Sequence, residues 1–344
     1  MSNHVATLSK VLRQAYQEGG TIGVLQHQQQ QMRTATFITN DSVNYPYDAA
    51  LTMVRAALDA SRGNKGMASG MLNAMIGSCC TMQQPQTGSE LAANLMRAYD
   101  DLADDCIKPD LVAMCLAYTA TVKYDPHRAA YFLKRATNVY PTKDIADVSV
   151  SAKAPNWDEL ESRNGIRLMQ DSEEFVVLFK PSGMLCCHAT IDPSRGDESI
   201  SLEECLLANG VALSSLNLEG RGLVHRIDRG TSGCLVLSKT NACHALLVSQ
   251  FFLRNVRKSY QALVFSDNGA AASRLPDRSI VTLPIQGRPA VSSFAVEEWI
   301  SPQVARLQIM TAQGRRHQVR LHCSKGLQAP ILLDPLYGGD TVNS

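Results

Sequence analysis

Residues 225–240 read HRIDRGTSGCLVLSKT, and the placing of Asp228 in this stretch is the first thing to explain. The aspartate stands between Arg226 and Arg229, just ahead of Gly230 and Gly233 and of an apolar, β-branched run. The glycines permit a sharp turn, and CLVLSKT has the length and composition of a strand. An aspartate at the mouth of such a strand can cap a turn, hold an ion pair, bind a metal or act as a nucleophile. Turn capping and ion pairing are the commonest of these, and the sixteen residues alone leave all four open.

Around this stretch the chain keeps the same texture. EFVVLFK, KSYQALVF, SSFAVEEWI and VARLQIMTA are short runs of strand type, and one helical segment, ACHALLVSQFFLR at 242–254, interrupts them. KPSG at 180–183 reads as a turn. This is an α+β pattern with a mixed, mostly antiparallel sheet, predicted over 170–344.

Upstream the pattern changes. Over 46–142 Ala, Leu and Met recur at helical spacing, and Pro46, Pro85, Pro109, Pro126 and Pro141 fall near the segment ends, where proline costs a helix least. The pairs Ala49-Ala50, Ala92-Ala93 and Ala129-Ala130 recur 43 and 37 residues apart, as stacked helical hairpins would place them. An all-α helical-hairpin domain is predicted, suited to docking. Residues 143–169 show little periodicity and read as a linker. In the first forty residues only Glu18 is acidic, Val5, Leu8, Val11 and Leu12 fall at helical spacing, and Gly19-Gly20 and a glutamine tract follow. Residues 1–45 are therefore an N-terminal extension with two readings, a terminal helix or a mitochondrial presequence.

The 344 residues favour two domains over one. A net charge of +1 excludes a polycation gripping nucleic acid over its whole surface, so an anionic partner needs a local basic patch. No apolar run approaches the roughly 18 residues of a membrane span. The ten cysteines contain no C-x-x-C, which disfavours zinc and a secreted disulfide framework. Two basic clusters remain. RNVRKSYQALVF carries Arg254, Arg257 and Lys258 ahead of Tyr260. GRRHQVRLHCSKG carries Arg315, Arg316, His317, Arg320 and Lys325, and if helical sets Arg316 and Arg320 on one face with Val319 and Cys323 pointing elsewhere. A solvated basic face and a phosphate grip both suit the second cluster.

Taken together, KPSGMLCCH, HRIDRGTSGCLVLSKT, RKSYQALV, GRPAVSSFAV and GRRHQVRLH…API…DPLYGG resemble, in order and rough spacing, the RluA-type RNA pseudouridine synthases over about residues 172–340. The resemblance implies that Asp228 is the catalytic residue, with Tyr260 and Arg320 completing the site and Arg320 as the cation beside Asp228. It also implies that Arg226 stands near the flipped nucleotide. Arg226, Arg229, Arg254, Arg257, Lys258, Arg315, Arg316, His317 and Lys325 are then the expected RNA contacts, with neither metal nor organic cofactor. Ribosomal RNA is the favoured substrate, followed by transfer or messenger RNA. Residues 106–136 also resemble a degenerate pentatricopeptide-type hairpin, which implies protein partners on the helical domain, such as a ribosomal assembly particle. The chain departs from the family in two places: Leu333 stands where the family has glycine before Asp334, and the usual closing helix and strand are not seen after Leu336. These departures suit a rival reading, a catalytically idle RNA-binding assembly factor on the same scaffold.

Overall fold

The computed structural model describes residues 2–34, 47–102, 109–138, 154–188, 200–218, 220–265, 275–311 and 313–338. Two compact units divide the chain, Met1–Leu253 and Arg254–Ser344.

The first unit opens with helices α1 (Ser2–Thr34), α2 (Tyr47–Ser61), α3 (Lys65–Cys79), α4 (Pro85–Leu102), α5 (Leu111–Thr121) and α6 (Pro126–Thr137). Their starts follow local chemistry. The side chains of Asn64, Asp110 and Asp125 accept amide hydrogen bonds at the heads of α3, α5 and α6. Pro85 and Pro126 are first residues of their helices, where a missing N–H is harmless. Pro46 and Pro141 lie outside the described residues. Gly20, at φ 60°, breaks α1 into two helical pieces.

Each helix packs on its neighbour, and α1 meets α3, α2 meets α4 and α3 meets α5, the pattern of stacked hairpins. Ala50, Ala92 and Ala129, one from each recurring alanine pair, are buried in the alternate helices α2, α4 and α6. Small side chains at those positions let the backbones approach. Leu12, Val24 and Leu25 of α1 are buried in the same core, so the N-terminal segment is an integral layer of it.

The stretch 143–169, predicted as a linker, is not structureless where it is described. Helix α7 (Trp157–Asn164) runs from an Asn156 cap to Gly165 in the left-handed conformation, and β1 (Arg167–Asp171) follows. Then come β2 (Phe175–Lys180), α8 (Leu202–Ala208), β3 (Gly233–Ser238) and α9 (Asn241–Phe252). The strands form an antiparallel sheet in the order β1-β2-β3, over a small core of Val176, Leu178, Leu235 and Leu237. α9 packs on α5, with Ala245 buried in the helical core and Thr119 Oγ1 2.8 Å from Ser249 Oγ. One helix thus ties the strand that follows Asp228 to the helical array.

The second unit is an antiparallel sheet, ordered β4-β7-β6-β5, of β4 (Lys258–Phe265), β5 (Arg278–Val281), β6 (Ser292–Trp299) and β7 (Val304–Thr311). Helix α10 (Gln318–Leu321) runs into a π-helical turn, His322–Gly326, and lays Val319 and Cys323 on the sheet's core of Val264, Phe294, Leu307 and Ile309. Through the basic cluster the helix begins only at Gln318. His317 takes φ 55°, which breaks the register between Arg316 and Arg320, so the two do not share a helix face. The outer edge of β4 receives the segment after the π turn. Phe265 N donates to Pro330 O, Leu332 N donates to Leu263 O, and Val264 bridges Ile331. Leu333 turns the chain there at φ 61° with 66% of its surface exposed, so the leucine keeps the left-handed conformation that a glycine would adopt freely.

Candidate active site

In the first unit the 225–233 loop is held from both sides. Asp228 O accepts from Thr231 N at 3.0 Å, which closes a turn with Arg229 and Gly230 at its centre. His225 Nε2 accepts from Val236 N at 3.0 Å, and its ring stacks on Phe251 at 4.7 Å. Cys186 Sγ contacts Ile227 O at 3.4 Å. The KPSG turn grips the far side. Gly183 N donates to Arg229 O at 2.8 Å, Arg229 Nε returns a bond to Gly183 O, and Ser182 Oγ donates to Gly230 O.

Lys180 is the residue that a reading of KPSG as a turn misses. Its side chain is fully buried, and its ammonium donates to Pro181 O, Met184 O and Arg229 O at 2.8, 2.7 and 3.3 Å. Burial holds this ammonium below the usual lysine range, while Cys186 and the Asp228 carboxylate draw it partly back. A buried positive charge therefore lies near Asp228, on the turn that fixes the backbone beside it. The signal was in the alternation of FVVLFK: Lys180 has the parity of the buried Val176 and Leu178. Asp228 itself is half-buried, and Arg226 and Arg229 are exposed.

In the second unit Tyr260 lies on the inner face of β4, packed against the core and opposite Ile309. Arg320 forms a two-pronged pair with Asp334, Nε to Oδ2 at 2.8 Å and Nη2 to Oδ1 at 2.7 Å, and its guanidinium covers the Tyr337 ring at 4.9 Å. Burial would raise Asp334, but hydrogen bonds from Arg320 and the Leu336 amide outweigh it and hold the carboxyl below its usual range. Asp334 is thus a carboxylate that orients Arg320, which the motif DPLYGG alone did not reveal. Asp334→Asn is expected to lower the unfolding free energy by about 1–3 kcal/mol, since it strips one charge from a largely buried pair. Denaturant titration measures this, and an unchanged midpoint would contradict the pairing.

The basic residues of this unit fall in two groups. Arg254, Lys258 and Arg315 converge. Burial lowers Lys258 to about 8, helped by Arg254 and Arg315, and Arg254 to about 10, helped by Arg315. A Cβ at Gly314 would lie 2.7 Å from Lys258 Nζ, so the ammonium rests directly against the bare backbone. Arg316, His317 and Lys325 instead line a groove described below, and Arg257 is exposed. Among the described residues no cluster of His, Cys, Asp and Glu is placed to hold a metal.

Residues 174–325 match the family described as RNA pseudouridylate synthase. This segment is similar to that family, in line with the resemblance that its motifs carry. "Ribosomal large subunit pseudouridine synthase D" of Xanthomonas campestris pv. campestris is 30% identical over 181 residues, 51% of this chain and 52% of that one. "Uncharacterized RNA pseudouridine synthase YlyB" of Bacillus subtilis is 31% identical over 202 residues, 56% of this chain and 64% of that one. A solved structure, "Human RNA Pseudouridylate Synthase Domain Containing 1", matches at 21% identity and a TM-score of 0.40, over 52% of this chain and 71% of that one. The chain spans about half the length of the first of these relatives.

Proposed function

We propose that the chain is an RNA pseudouridine synthase that isomerises a uridine through Asp228. The observation that carries this is the double grip on the 225–233 loop, which fixes the backbone on both sides of Asp228 at the mouth of β3. In the reaction the N1–C1′ bond breaks, the uracil turns, C5 joins C1′, the C5 proton leaves and N1 gains one. Positive charge develops on the sugar as the base departs, much as in glycoside hydrolysis, and an ionised carboxylate can attack C1′ or take a sugar proton. In this reading Tyr260 is the residue that packs under the uracil, and Arg320, oriented by Asp334, is the site's fixed guanidinium. The uridine must leave its stack, and the exposed Arg226 takes the space that it vacates.

Arg254, Lys258 and Arg315 hold the RNA backbone. Because Lys258 loses its proton near 8, RNA affinity is expected to fall as pH rises from 7 to 9.5, and Lys258→Arg should flatten that profile. Stability runs the other way. Between about 8 and the ordinary lysine value the folded chain binds fewer protons at Lys258 than the unfolded chain, so this group adds stability as pH rises. Equal profiles for wild type and Lys258→Arg in a fluorescence binding titration would remove Lys258 from the RNA contact.

Ribosomal RNA is the favoured substrate because the Xanthomonas relative is named for the large ribosomal subunit. The helical array is the docking surface for protein partners; a mitochondrial location, which imaging of a tagged full chain tests, requires the acid-poor N-terminal stretch to address the chain without being removed, because Leu12, Val24 and Leu25 pack in that array. The activity itself is tested with ribosomal transcripts carrying tritium at uridine C5. Release of tritium to water by the full chain supports the reading, and no release from ribosomal, transfer or messenger transcripts overturns it.

A further inference from the structure

The second unit carries a groove of about 580 Å³, the size of a small-molecule site. Leu283, Ile285 and Leu321 supply apolar walls, Tyr337 an aromatic ring, and Arg316 and Lys325 exposed cations, with no acidic residue among those that line it. The ring is fixed in advance. Its hydroxyl bonds His317 Nδ1 at 2.8 Å, the imidazole meets its edge at 5.8 Å, and Arg320 covers it at 4.9 Å while held by Asp334. The groove wall is fixed as well, since His322 bonds both Leu283 O and Ser292 Oγ.

A preset aromatic ring, apolar walls and a purely cationic rim fit one ligand chemistry: a flat, uncharged base joined to a phosphodiester. We propose that this groove receives a single unpaired nucleotide of the RNA, with its base against Tyr337 and Leu283 and its phosphate at Arg316 and Lys325. The proposal rests on the synthase reading for its RNA substrate. Stacking on a fixed ring loses little ordering entropy and tolerates any base, whereas a paired base has no face to offer. The groove therefore selects single-stranded over paired RNA.

The test uses the full chain, a short fluorescent oligouridylate and a duplex of equal length. Leu283→Glu brings a carboxylate onto the groove wall at a 37% exposed position, and Ile280→Glu makes the same charge change at a 69% exposed position on β5 outside the lining. Leu283→Glu is expected to weaken single-strand binding about tenfold, the loss of one stacked base, with duplex binding much less affected and Ile280→Glu within about twofold of wild type. An oligouridylate carrying 4-thiouridine should cross-link to peptides containing Leu283 or Tyr337. Equal losses in both variants, or cross-links confined to other segments, would overturn the groove. Intact cross-links without Asp228-dependent tritium release would instead sink the synthase reading alone.

Discussion

Asp228→Asn is expected to abolish tritium release, by about a thousandfold or more, while the protein stays folded. Removing the group that a covalent or proton-transfer step runs through has effects of that order, and the amide keeps the shape of the carboxylate. The half-buried side chain does not fill a core, so the unfolding free energy should change by no more than a surface substitution changes it, about 0.5 kcal/mol, read from the thermal midpoint. RNA affinity should change less than tenfold, because phosphate contacts elsewhere supply most of it. Rate, midpoint and affinity together separate a lost reaction from a lost fold. A variant that kept a tenth of the wild-type rate would leave Asp228 a turn-former.

The second large effect belongs to Lys180. Lys180→Met keeps the length and the buried stem but removes the donor to three carbonyls, leaving buried acceptors without their cation. A loss of about 2–4 kcal/mol is expected, a fall of roughly 5–10 °C in the midpoint of a unit this size. The same change frees Arg229 O and removes the positive charge near Asp228. Below the new midpoint the turnover rate should therefore still drop, on the order of a hundredfold, as it does when a reacting group is displaced by about an ångström. Lys180→Met with wild-type turnover at low temperature would show that the lysine serves folding alone.

Much of this was legible in the chain, for reasons that differ from residue to residue. The strands announced themselves through alternation, and Val176, Leu178 and Lys180 share a buried face as their spacing requires. Lys180 escaped notice because a lysine before Pro-Ser-Gly reads as solvent-facing, and only the parity contradicts that. α7 escaped because eight residues burying one leucine, Leu160, generate no periodicity; its marks are the cap at Asn156 and the stop at Gly165. In the basic cluster the arginines were visible, but the left-handed turn at His317 that separates Arg316 from Arg320 was not, since nothing in HQVR forbids a helix. Asp334 shows the general difficulty. A partner fourteen residues away becomes visible only once β4 and the π turn bring the segment after Ala329 alongside.

The central claim is that a carboxylate at 228, steadied by Lys180, makes pseudouridine. Its most direct test is single-nucleotide mapping of pseudouridine in RNA from cells depleted of the protein and then supplied with the wild-type or the Asp228→Asn chain. The account expects discrete sites to vanish on depletion, to return with the wild type and to stay absent with the variant. Return of every site with Asp228→Asn, or a map unchanged by depletion, would contradict it.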